Sequence, residues 1–412
     1  MKKTNPIEAL YVSYDGMTDP LGQSQVIPYL AGLAAKGFSI SLISCEKSIP
    51  YKKEASNIEQ LLKANHINWY PVFYTKKPPI LSTVFDIWKM KQKAHSLHRT
   101  KNFDIVHCRS YIAAFVGLSL QKKGCRWIFD MRGFWADERV DGHIWNLKNP
   151  IFKQIYGFFK SKEREFLKSA DHIVSLTQAG KLEMLTWKIP ELTPDKISVI
   201  PCCADLNHFN NANITAEAQT RWREKLSIDP NAYVLSYLGS VGTWYLPDEM
   251  LDFFKILKQK EPSALFLFIT KDDPQRLKEL ALSKNISVDD IRIQPATRNQ
   301  VPGLLSISQA SLFFIKPVWS KKASSPTKLA EIMGLGIPVV TNSGVGDVDW
   351  VMHKNPNGVL VESFTEQSYV IAVSQLLSFP QTKPKEIRQL ACDYFSLEHG
   401  ISIFESVYHS SL

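Results

Sequence analysis

Twice along this chain, short apolar runs alternate with stretches of helical period, and a polar segment rich in Asn, Ala and Thr at residues 210–220 separates the two series. That alternation predicts an α/β fold of two Rossmann-like, doubly wound domains, each a parallel sheet with helices on both faces. The length agrees, since 412 residues exceed one ordinary core and suit two. The expected first domain is residues 1–205 and the second 206–394, with the last helix, within 395–412, packing back on the first. Two such sheets in series are expected to face a ligand cleft at their carboxyl ends.

The first series opens with an apolar strand at 9–14, then a Gly/Asp/Pro loop and a helix at 23–36 closed by Gly37. A strand at 39–44 follows. Further strands are expected at 104–108, 127–130, 171–176 and 197–200, with helices at 112–122 and 178–187. The second series restarts with a strand at 234–237, a glycine loop and a helix at 247–259. Strands at 265–270, 291–294, 312–315 and 339–342 follow, with helices at 274–284, 328–334 and about 397–409. No repeat of solenoid length is present.

A composition of 44% hydrophobic and 22% charged residues excludes a disordered or fibrous chain. Glu8 interrupts the apolar run after the basic start, which argues against a signal peptide, and the longest apolar runs are strand-sized. A cytoplasmic protein is expected. The six cysteines show no Cys-x-x-Cys pair and no zinc spacing, so they read as buried free thiols. Lys and Arg outnumber Asp and Glu by 29 to 19 over residues 1–205 but number 20 against 21 in the rest. The excess positive charge therefore lies in the first domain, which suggests an anionic surface or substrate there.

The sharpest local signal is SSPTKLAEIMGLGIPVVT at 324–341. Ser325 suits an N-cap and Pro326 a first helical residue. The amides of Thr327 and Lys328 then point out of the helix start, where an anion is favoured. Lys328 in the first turn opposes the helix dipole by about 0.3–1 kcal/mol unless a bound anion offsets it. Glu331, three residues on, shares its face and is placed to accept hydrogen bonds from a ribose diol. The same pattern also reads as a well-capped helix with a surface Lys–Glu pair.

This block, with GVGD at 344–347 and NGVLV at 357–361, resembles the donor-site signature of the family-four (group 1) retaining glycosyltransferases of GT-B fold. Val199, Ile200, Pro201, Asp205 and Phe209 are similar to that family's interdomain segment. Gly22 before a helix resembles its N-terminal glycine loop, and the return helix fits as well. The resemblance covers nearly the whole chain. It implies transfer of a sugar, with retention, from a nucleotide-diphospho-sugar held by the second domain to an acceptor held by the first. The implied acceptor is a sugar or a lipid-linked sugar in cell-surface polysaccharide or glycoconjugate assembly.

Two departures stand out. The family usually carries two glutamates eight apart; Glu331 fits the second, but the first falls on Ala323. Many relatives also place Arg and Lys after the first strand of the second domain, where this chain has LGSVGTWY at 238–245. Gly239, Ser240 and Gly242 still allow backbone amides near phosphate. The cation must then come from Lys328, aided by Lys316.

A second focus is FDMRGFWADE at 129–138, following a strand. The resemblance puts a His or Asp facing the transferred sugar at this strand end. Asp130 matches by position, and Arg132 is placed to steady a leaving phosphate. The pair also reads as a buried ion pair pinning the loop of Phe134 and Trp135. His107 and Arg109 end the previous strand and are weaker candidates. Asp347 and Asp349 match an Asp-x-Asp metal motif, but too late in the chain for that role; no metal and no cofactor are expected.

Lys89, Lys91, Lys93, Arg99 and Lys101 lie in a basic helical run at 87–101, and Ile155, Phe158 and Phe159 lie among lysines at 151–168. Such patterns suit an anionic membrane face and peripheral attachment. Other readings remain: a nucleotide-sugar 2-epimerase of GT-B fold, or a nucleotide-sugar-binding protein without catalysis, suggested by Ala323. Nucleic-acid binding ranks last, since no module with its aromatic–basic pattern is present.

Overall fold

The computed structural model describes residues 6–380 and 382–410 and divides into two compact units. The first holds the described residues up to Cys202, the short segment Lys322–Ser324 and the helix Leu397–Ser410. The second holds Cys203–Lys321 and the rest of Ser325–Ser396. Residues 411 and 412 of the expected return segment lie outside the described residues.

In the first unit, β1 (Glu8–Ser13), β2 (Ser39–Glu46), β3 (Ile67–Phe73), β4 (Ile105–Arg109), β5 (Arg126–Asp130), β6 (His172–Ser175) and β7 (Ile197–Val199) form one sheet. Their order is β3-β2-β1-β4-β5-β6-β7, all parallel. In the second, β8 (Val234–Leu238), β9 (Leu265–Ile269), β10 (Ile291–Gln294), β11 (Ala310–Phe313), β12 (Val339–Asn342) and β13 (Gly358–Val361) follow the order β10-β9-β8-β11-β12-β13, again parallel. Both units are doubly wound and Rossmann-like. Helices cover both faces, so β4 and β8 are buried at every residue; β8 reads as a near-continuous apolar run, whereas β4 ends in the buried polar His107 and Arg109.

Local chemistry explains most boundaries. Pro begins the helices Pro150–Ser169, Pro247–Lys260 and Pro274–Ser283, where its missing N–H costs nothing. Asn149 caps the first of these by accepting from the Ile151 amide, and Asp273 caps the third by accepting from Gln275. The single helix expected at 23–36 is two, Pro20–Gln25 and Ile27–Ala35, broken at Val26. Pro28 lacks the N–H an unbroken helix needs and crowds the preceding turn. The strand β3 escaped the sequence pattern because Pro71 and half-buried residues obscure it; it is an edge strand, where a sheet tolerates proline. Lys322–Ser324, expected in the second domain, group with the first unit, where the Ala323 methyl joins the core.

In each unit the strand order reverses beside the first strand, at β1–β4 and at β8–β11. The carboxyl ends at such a reversal are where an open α/β sheet leaves a crevice.

Candidate active site

In the first unit the register places Ser13 of β1 beside Arg109 of β4, and Arg109 beside Asp130 of β5. These are carboxyl ends at the reversal. Asp130 is buried, with Oδ2 3.8 Å from both His107 Nε2 and Arg109 NH1, and Oδ1 3.9 Å from Arg132 NH1. All three distances are too long for hydrogen bonds. Asp130 Oδ1 and His107 Nε2 are buried without a hydrogen-bond partner among the described residues, and both residues line a small cavity with Tyr11, Gln25, Tyr29 and Arg132. Burial alone would favour protonated Asp130, but Arg132, His107 and Arg109 together hold its carboxyl below the usual range. Burial pushes His107 down, so the cavity pairs a carboxylate with a neutral imidazole.

The helix Leu397–Ser410 supplies the partner of the other ring nitrogen. The Tyr408 hydroxyl lies 3.0 Å from His107 Nδ1, and burial pushes its phenol well above its usual value. It stays protonated, and a protonated phenol can donate or accept. The ionised Asp130 carboxylate facing Nε2 favours the tautomer protonated there, with Nδ1 accepting from Tyr408. Arg132 follows at φ 58°, a left-handed conformation costing an ordinary side chain about 1–3 kcal/mol, and Gly133 continues at φ 115°. Arg132 donates to Cys202 Sγ at 3.2 Å, and Arg109 donates from Nε to Asp15 Oδ2 at 3.3 Å.

Gly22 lies against the loop after β1. A Cβ there would come within 2.3 Å of the Gly16 carbonyl oxygen and 2.7 Å of Met17 Cα, so only glycine fits. Glu46, at the end of β2, ties that loop: its fully buried carboxylate accepts from the Met17 amide at 2.7 Å and from the Thr18 amide and hydroxyl at 3.2 and 2.6 Å.

In the second unit the helix is Thr327–Gly334, with Pro326 rather than Ser325 at the N-cap and no side-chain cap. Pro326 keeps an extended ψ of 112°, which delays the helical turn. The amides of Thr327 and Lys328 still have no partner within the helix. Lys328 turns inward: it is 7% exposed, donates to the Tyr237 hydroxyl at 3.1 Å and lies 3.4 Å from the centre of the Tyr245 ring. No carboxylate lies within 4 Å of it among the described residues. Burial therefore drives its ammonium well below the usual lysine value, against weak support from Glu331 and Asp272. Burial raises Glu331 to about 7, opposed by Arg298, 3.8 Å away, and by Lys328.

The glycine loop after β8 is held by its own bonds. The Gly239 amide donates to the Ile269 carbonyl, Val241 to Asp272 Oδ2 at 2.5 Å, and Gly242 to Ser240 Oγ at 3.3 Å. The amides of Gly239 and Gly242 therefore donate within the unit. Gly239, at φ 110°, instead makes room for Lys328, whose Nζ would be 3.2 Å from a Cβ there. Lys316 is half-buried, and its amide donates to the Trp244 carbonyl at 2.9 Å. Asp347 occupies the N-cap of Val348–Lys354 without a side-chain cap bond, whereas Asp349 accepts from the Ser343 hydroxyl and the Gly344 amide.

A family model described as "Glycosyl transferases group 1" matches residues 218–391, and one described as "Glycosyltransferase Family 4" matches residues 22–208. The chain belongs to the group 1 glycosyltransferase family. It is 25% identical to a D-inositol 3-phosphate glycosyltransferase of Salinispora arenicola over 60% of this chain and 56% of that protein. The chain spans about half the length of the first curated relatives it matches. Among solved structures it is similar to a glycosyltransferase of Rickettsia africae, with TM-score 0.74, 17% identity and 99% of each chain covered. An Anabaena protein solved with UDP and glucose gives TM-score 0.70 at 13% identity, covering 98% of this chain and 100% of that one. These likenesses establish the GT-B fold.

For a member of this glycosyltransferase family, two features were missed from the sequence. Lys321 is buried, 3.7 Å from the centre of the Trp244 ring, so Lys321 and Lys328 are the two buried lysines among the described residues and both rest on the loop after β8. The pair Lys321-Lys322 stands just ahead of the helix, and nothing local marks the first of the two as buried. Ala323, where the family resemblance places a glutamate, is 3% exposed in the first unit's core, and its methyl packs against Gly180. A carboxylate there would be buried among apolar groups.

Proposed function

We propose that this chain transfers a sugar, with retention and without a metal ion, from a nucleotide-diphospho-sugar to an acceptor. Lys328 carries the reading. A buried ammonium without a carboxylate partner is costly, and a diphosphate at the adjoining helix start supplies the missing charge. In this reading Lys321 and Lys328 replace the cations that relatives place after β8, and Glu331 takes the ribose diol. Ser325, Thr327 and Lys316 complete the donor side in this reading. Asp130 and the Nε2–H of His107 offer an acceptor and a donor side by side, which suits a sugar hydroxyl, while Arg109 and Arg132 keep the carboxylate ionised.

The acceptor in this reading is lipid-linked, at an anionic membrane surface met by the basic first unit. Calorimetry with free nucleoside diphosphates tests the donor site: Lys328→Ala should weaken binding by about 1.5–3 kcal/mol, the worth of a charge-assisted hydrogen bond. Unchanged affinity would remove Lys328 from the site. Product analysis with and without acceptor separates transfer from 2-epimerisation, which needs none.

A further inference from the structure

The first unit exposes an apolar face that neither its core nor the reacting groups use. It begins the helix Leu81–Lys101, six residues ahead of the basic run in the sequence. Ile80, Leu81, Val84, Phe85 and Trp88 recur at helical spacing and are all exposed, Leu81 at 66% and Val84 at 57%. Phe85 and Trp88 stack on each other, centroids 5.6 Å apart. The opposite side of the helix, through Ser82, Asp86, Met90 and Ala94, is buried, so the stripe is held outward. Ile80 sits at φ 71°, an unusual backbone for a β-branched residue.

The margin of this face is basic. Lys76 and Lys77 are exposed beside it, as are Phe73 and Tyr74. Asp86 is the one acidic residue of the segment 73–88, and its carboxylate is buried, accepting from the Tyr14 hydroxyl and the Thr75 amide. Further along, Lys91 of the same helix and Phe158 of the helix Pro150–Ser169 both rest on Phe115, and Ile151 and Phe158 are exposed. By contrast, two lysines that the sequence pattern marked for membrane contact are engaged within the unit. Lys89 donates to Thr75 and pairs with Asp86 at 2.8 Å, and Lys93 lies over the Tyr70 ring.

We propose that Ile80, Leu81, Val84, Phe85 and Trp88 seat in the interfacial layer of an anionic bilayer, with Lys76 and Lys77 against the head groups. A contiguous exposed apolar patch of this kind marks an interaction surface, and its basic rim selects anionic lipid among apolar partners. Trp88 has the amphipathic ring that favours the head-group boundary. The proposal rests on the membrane part of the reading above, and it makes the attachment an apolar one rather than a purely electrostatic one.

The test uses the full chain with vesicles of mixed phosphatidylglycerol and phosphatidylcholine. The wild type should co-sediment and remain bound in high salt, because inserted side chains are not screened. Val84→Ser/Phe85→Ser/Trp88→Ser should lose roughly tenfold or more in partitioning, while its melting temperature and nucleoside-diphosphate binding stay unchanged. Lys76→Glu/Lys77→Glu should weaken binding at low salt and little at high salt. Complete release of the wild type by salt, or an unaffected triple variant, would overturn the proposal. So would a wild-type dimer that the triple variant makes monomeric without lipid, since a second copy would then cover the face. Vesicle binding without nucleotide binding would leave this surface standing and sink the transferase reading; the reverse result would do the opposite.

Discussion

Lys328 and Glu331 share one helix face, and burial moves both toward their neutral forms. For Lys328 this predicts opposite signs for stability and binding. Lys328→Met removes a buried amine that has no carboxylate partner and is held from its charged form by burial, while keeping the bulk, so thermal unfolding should show an unchanged or higher melting temperature. The same variant should bind nucleoside diphosphate more weakly. For Glu331 the folded value of about 7 lies above the ordinary carboxylate value of an unfolded chain. The folded state therefore holds the proton more tightly, and the wild type loses stability as pH rises through the window from about 4.5 to 7. Glu331→Gln should not follow that decline. Its advantage over the wild type should grow to roughly 3 kcal/mol by pH 8 in urea unfolding, and identical pH profiles would count against the assignment.

Among the elements, the loop after β1 depends on the helix Pro20–Gln25 packing without a side chain at Gly22. Gly22→Ala should cost about 1–3 kcal/mol by overpacking against Gly16 and Met17, read by chemical denaturation. Lys322–Ser324 offers a sharper case. Ala323→Glu restores the residue that relatives carry, yet in this chain it would bury an unpaired carboxylate beside Gly180. A loss of about 3 kcal/mol or more is expected, and a gain in transferase activity from this variant would contradict the packing account. Elements with long apolar runs, such as β1 and β8, were legible in the sequence because both sheet faces are covered. The edge strand β3 and the helix Ser48–Ala64 were not: Pro71 interrupts one, and the other buries only Ile58 and Leu62.

At the scale of the whole molecule, the donor reading predicts a ligand-linked melting temperature. A nucleotide-sugar at 100 times its Kd should stabilise the chain by about 2.7 kcal/mol, and a panel screened by thermal shift would reveal the sugar and base. Transfer should also survive a chelator; loss restored by Mn²⁺ or Mg²⁺ would show that the Asp347/Asp349 pair holds metal after all. The two series of strand and helix, the charge carried by residues 1–205 and the family resemblance were all readable from residue order, because parallel sheets impose long apolar runs and helix starts have local chemistry. What residue order does not carry is which side of an element faces inward. The tertiary structure alone turned Lys328 and Lys321 onto aromatic rings, sent Ala323 into the first unit's core, joined Tyr408 to His107 across 301 positions of sequence, and left Ile80 to Trp88 facing out. Such choices depend on contacts between distant segments, and no local propensity or period encodes them.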